Sequence, residues 1–170
     1  GPPMLRSLAS IGLGLTVALG AAGGAAAQGF CSFGTLWVQP AERAGGERGC
    51  ARLLLAELPA DWQTGDAAAV VMTPRDGTTP EDLQARLVEA LVRDETAVLD
   101  YPAGRPGADC PGRVAPPLAE LFGALDALVG QAGAGLVVAI GFGPYGDAVL
   151  AATEEGLAAS ILGAGGPRLA

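Results

Sequence analysis

The chain has 170 residues, half of them hydrophobic, which allows one domain with a sizeable core and leaves too little length for two ordinary ones. Its 10 basic residues are all arginine and face 18 acids, for a formal charge of −8 with no lysine, histidine or asparagine anywhere. That balance argues against nucleic acid and anionic membrane surfaces as partners, because phosphate binding needs clustered positive charge.

Residues 1–27 read as start residues followed by a signal peptide. Arg6 supplies a positive leader, Leu8 to Leu19 an apolar stretch, and Ala25-Ala26-Ala27 the small residues of a cleavage site. A retained anchor is the alternative, since the run from Ser7 stays uncharged for roughly 20 residues. The small-residue ending favours cleavage. Gly1-Pro2-Pro3 precede Met4 and are set aside. The expected mature domain spans residues 28–170; losing Arg6 takes its charge from −8 to −9. The expected location is exported, periplasmic or secreted, with no membrane contact once the leader is gone.

Export permits disulfides. Of Cys31, Cys50 and Cys110, the expected pair is Cys31 with Cys50, which would close a loop around the Gly- and charge-rich Ala41 to Gly49. No metal site is expected, because three dispersed cysteines without a histidine match no zinc pattern.

Short strands are expected at Phe33–Val38 and Ala51–Leu58, joined by a polar turn, with Trp62 as a lid on the core edge beyond them. Ala67–Met72 is a buried strand, followed by the loop Arg75-Asp76-Gly77-Thr78. A helix then begins, with Thr79 as cap, Pro80 in its first position, and Glu81 and Asp82 on the positive end of its dipole. Leu83, Leu87 and Leu91, with Ala90, form its buried stripe. Thr96–Leu99 is the next strand, and Ala103–Pro117 a long Pro- and Gly-rich connection.

Leu118, Leu121, Phe122, Leu125, Leu128 and Val129 repeat at helical intervals and deliver the chain to Leu136–Ile140, an uninterrupted apolar run fit for a central strand. A glycine-rich turn, Gly141 to Gly146, follows it. Next comes a helix closed by Gly156, and then a last strand at Ala159–Leu162. Strand and helix alternate from Ala67 onward. The expected fold class is therefore α/β, a mostly parallel sheet with helices on both faces and an antiparallel N-terminal edge. Ligands in such folds bind at the carboxyl edge of the sheet. The candidate binding residues there are Arg75, Asp76, Gly143, Pro144 and Tyr145, a solvated turn being the plainer reading of the first two.

Three segments carry a family resemblance: AAVVMTPRDGT (Ala67 to Thr78), TAVLDYPAGR (Thr96 to Arg105) and VVAIGFGPYGDAVLAA (Val137 to Ala152). In order and content they resemble the strand with its oxyanion loop, the next strand and loop, and the nucleophile elbow of the α/β-hydrolase fold, above all exported dienelactone-hydrolase-like proteins. The likeness covers about Phe33 to Gly163 and implies a three-layer sandwich. It also marks what is missing. Gly143 stands where the family has its nucleophile, Tyr145 where it has a second glycine, and Thr73-Pro74-Arg75 where it has histidine and glycine. The chain stops before the family's histidine-bearing loop.

The implied protein is a non-catalytic hydrolase-like domain that binds a small molecule or a protein at the edge around Arg75, Gly143 and Tyr145, and needs no cofactor. One alternative is a truncated esterase or dienelactone-hydrolase-type enzyme. A second is a dinucleotide-binding module, since Gly141, Gly143 and Gly146 spell G-x-G-x-x-G between a strand and a helix. Against it, the acid expected about 20 residues further on is replaced by LGAGG (Leu162 to Gly166), and Asp147 would repel a phosphate.

Overall fold

A computed structural model describes residues 31–107, 110 and 112–154. The apolar runs become five strands: β1 (Cys31–Val38), β2 (Arg52–Pro59), β3 (Ala67–Pro74), β4 (Ala97–Ala103) and β5 (Leu136–Gly141). Three helices alternate with the later strands: α1 (Glu81–Arg93), α2 (Pro117–Gly130) and α3 (Pro144–Ala152). The strands form one open sheet in the order β1-β2-β4-β3-β5. The expected signal peptide, the closing role of Gly156 and the last expected strand fall outside the described residues. No helix among the described residues is long and apolar enough to cross a membrane.

β3 pairs parallel with β4 on one side and β5 on the other, whereas β1–β2 and β2–β4 are antiparallel. The sheet is therefore mixed, with two parallel and two antiparallel strand pairs. The two N-terminal strands form a full hairpin, running from Cys31 opposite Pro59 to Val38 opposite Arg52, and β2 joins the parallel strands through β4.

Ala68 to Met72 of β3 have no solvent exposure, so both faces of the strand are covered. Alternation sends Val70 and Met72 to one side and Val71 to the other. On the first side Leu99 and Tyr101 of β4 join them, covered by Leu121, Phe122, Leu125 and Leu128 of α2, with Tyr145 and Ala152 of α3 in the same cluster. On the second, Val71 and Val98 meet Val88 of α1, flanked by Leu87 and Leu91. Each such side chain, taken from water, contributes about 1.5–3 kcal/mol. Trp62 packs at the margin of the larger cluster and donates its indole N–H to the Ala67 carbonyl at 2.8 Å.

α1 differs from the sequence expectation at its start. Pro80 occupies the capping position and no side chain bonds the free N–H groups, so Thr79 is not the cap. The buried side is also rotated: Val88 is buried, while Leu83 is 46% exposed. The helix crosses β4 towards β2, and its first turn stands clear of the apolar contacts that hold the later turns. Two exposed pairs, Arg86 with Asp82 and Arg93 with Glu89, brace its outer side at 2.8 and 2.7 Å.

β1 is an edge strand, and among the described residues its outer side is engaged at Trp37. The Gln131 side-chain amide accepts from the Trp37 N–H at 3.0 Å and donates back to the Trp37 carbonyl, as a neighbouring strand would.

The disulfide joins Cys50 to Cys110, not to Cys31. The hairpin register explains why. Cys31 opens β1 and Cys50 lies just before β2, at the opposite end of an eight-residue ladder roughly 23 Å long. A disulfide requires Cα atoms within about 7 Å. Cys110 stands 5.3 Å from Cys50 in Cα separation, so the bond ties the β4–α2 connection to the β1–β2 connection. Sixty residues separate the two cysteines, and closing such a loop restricts the unfolded chain by about 4 kcal/mol on the entropic account. Replacing both (Cys50→Ala with Cys110→Ala) is expected to cost about 2–4 kcal/mol in denaturant unfolding.

Candidate functional site

β3, β4 and β5 are parallel, so they end at the same edge: Pro74 stands in register with Ala103, and Met72 with Gly141. The connections after them converge there. β2 runs the other way and begins at this edge, where the Arg52 guanidinium donates to the Pro102 carbonyl at 2.8 Å. The disulfide lies at the same end, holding the long β4–α2 connection down.

The turn from β5 into α3 is tight. The Phe142 N–H donates to the Met72 carbonyl at 3.0 Å, which fixes the turn to β3. Gly143 then reverses the chain at φ 57° and ψ −129°, a conformation nearly closed to residues with a side chain. Gly141 is required for a different reason, since a Cβ there would overlap the Tyr145 carbonyl oxygen. The Tyr145 and Gly146 N–H groups donate to the Phe142 and Gly143 carbonyls at 3.2 and 3.0 Å.

The five candidate binding residues do not share one surface. Gly143 and Pro144 are exposed, and the open side of Gly143 faces the Pro74 ring. Tyr145 is buried, its side chain in the larger core cluster and not at the open edge. Asp76 is held in its own turn by the Thr78 N–H at 3.0 Å and the Thr78 hydroxyl, which keep its carboxyl below the usual range. Arg75 lines a groove of about 640 Å³ bounded by β2, the β3–α1 loop and α1; none of the other four reaches that groove.

Behind the edge lies a polar cluster that the sequence reading missed. Glu120 of α2 is 1% exposed and accepts from the Gly104 N–H at 3.2 Å and from the Tyr101 hydroxyl at 3.5 Å. Arg52 lies 5.0 Å from the Tyr101 ring centroid, within cation–π range. The Tyr145 hydroxyl reaches the same corner, 3.0 Å from where a Cβ on Gly104 would stand. Burial pushes Glu120 up to about 7, opposed by the Gly104 N–H, Arg52 and Tyr101. Burial also raises Tyr145, and the charge of Glu120 raises it further. The available signal was that Glu120 is the one charged residue between Pro116 and Leu125, in a helix otherwise apolar over that span.

Chemically, this is a proton-binding group sealed from solvent beside a turn without a nucleophile. The donor atoms of Glu47, Cys50 and Cys110 lie within 4.8 Å of one another, but the disulfide consumes both sulfurs, so they do not make a metal site. No protein-family model, curated protein or solved structure matches the chain.

The Glu120 shift has a consequence for stability. Its carboxyl binds a proton more tightly in the folded chain, near pH 7, than at the unfolded value of 4.5. Its contribution is therefore fully present below about pH 4.5 and lost as pH rises through about 7, a span on the order of 3 kcal/mol. Glu120→Gln should flatten that part of the curve, measured as unfolding free energy against pH beside the unmodified protein.

Proposed function

We propose that the chain is an exported, non-catalytic domain of α/β-hydrolase-like topology, serving as a binding or interaction module. The observation that carries this is Gly143. A strand, a tight turn and a helix present its backbone in the strained geometry that a nucleophile elbow demands, and the residue there has no side chain. The antiparallel hairpin at the sheet edge, followed by parallel strands and ending in that elbow, supports the same reading. So does the absence of histidine from all 170 residues, since the family's nucleophile needs a base. A disulfide suits an oxidising, extracytoplasmic compartment.

The same turn gives little support to dinucleotide binding. Pro144 has no N–H, those of Tyr145 and Gly146 are engaged within the turn, and Asp147 sits in the first turn of α3.

The test is hydrolysis of p-nitrophenyl acetate by the purified full chain. The expected initial rate equals that of an equal mass of inert protein, and turnover above it would refute the reading. Gly143→Ala is expected to lose about 1–3 kcal/mol of stability through backbone strain. Gly141→Ala should lose more, because its Cβ has no room. Thermal unfolding of the two variants side by side checks the order.

A further inference from the structure

The face of the sheet that carries α1 is only partly covered. Over β3 and β4, Val71 and Val98 lie under Val88. Over the hairpin the described residues supply no such layer. Phe33 stands opposite Glu57 and Trp37 opposite Leu53, with Leu55 between them. These side chains point away from Leu54 and Leu58, which pack into the large core on the other face. Phe33, Trp37, Leu53 and Leu55 are 63%, 58%, 52% and 58% exposed. They are half of the large hydrophobics exposed among the described residues, gathered on two adjacent strands. Scattered exposed apolar residues need no explanation, but a contiguous group marks an interaction surface.

Its width suggests what fits. Two strands about 4.8 Å apart present a strip close to 10 Å wide, the diameter of one helix. The about 640 Å³ groove between β2 and α1 is the open flank of that strip. Charge narrows the choice. Glu57, Glu81 and Asp100 line the groove against a single cation, Arg75. A second copy of this acidic chain would bring like charges together.

We propose that this face docks an amphipathic helix of a partner protein, its apolar stripe on Phe33, Trp37, Leu53 and Leu55 and its basic residues towards Glu57, Glu81 and Asp100. The site is distinct from the glycine turn, and the inference stands whether or not the hydrolase-like reading holds.

The test uses the full chain and a fluorescein-labelled amphipathic peptide of leucine and lysine, about 14 residues and so roughly 21 Å long as a helix. Expected are saturable binding by anisotropy and a blue shift of tryptophan emission as Trp37 is covered. A leucine–glutamate twin should bind at least tenfold more weakly. Leu55→Asp, checked for folding by circular dichroism, should also weaken binding at least tenfold, although it adds negative charge. Equal or tighter binding by that variant would reduce the effect to general charge attraction and overturn the proposal. Equal binding of the glutamate twin would do the same. Two further results would overturn it in favour of another occupant: a dimer in sedimentation that Leu55→Asp dissolves, or a Trp37 already shielded from acrylamide in the free chain.

Discussion

The middle of β3 excludes water completely, and most of the architecture follows from that. Five successive residues, Ala68 to Met72, must find apolar cover on both faces and strand partners on both sides. A layer on one face alone cannot satisfy alternating side chains, so α1 takes one face while α2 and α3 take the other. Parallel partners in turn require crossovers, and crossovers deliver every following loop to one edge. The convergence of Arg75, Gly104 and Gly143 towards that edge is thus a by-product of burying a strand of alanine, valine and methionine. What the edge then does depends on side chains, and at the tightest turn there is none.

Much of this was legible in the residues, for identifiable reasons. Apolar runs such as Val70 to Met72 and the leucine stripe of α2 report burial directly, because solvent exclusion selects apolar residues at a fixed period. The glycine turn was legible for the same kind of reason, since Gly141 and Gly143 answer to backbone geometry. The misreadings share one origin, which is distance in space. Cys31 and Cys50 are near in sequence but lie at opposite ends of a ladder, while Cys110 comes close through a connection whose path no periodicity encodes. Leu83 has helical spacing with Leu87, yet only the later turns of α1 lie over the strands that would bury it. The placement of Tyr145 was likewise not legible: it follows the turn in sequence, and the start of α3 directs its ring into the core.

Glu120 was harder still. An acid in the first turn of a helix is favoured by the dipole whether it is solvated or sealed in, so apart from its isolation among apolar residues nothing marked it as buried. The structure answers its charge with a backbone N–H, a phenol and a nearby arginine, each drawn from a different element. Such a group costs free energy to bury and is tolerated where it fixes one arrangement over others. Here it gathers α2, the end of β4 and the start of β2 behind the edge.

The amide of Gln131 on β1 bears on how the chain behaves in company. A bare outer strand is a template on which another extended chain can add, and lengthening sheets in this way is a common route to insoluble material. One side chain, by accepting from and donating to Trp37, presents that strand with a dead end one residue before it finishes. An incoming strand would have to expel the glutamine before its register could run through to Val38. The edge thus discourages growth by backbone pairing while leaving the apolar face beside it open to side-chain contact, so the hairpin is built to be met from above and not extended from the side.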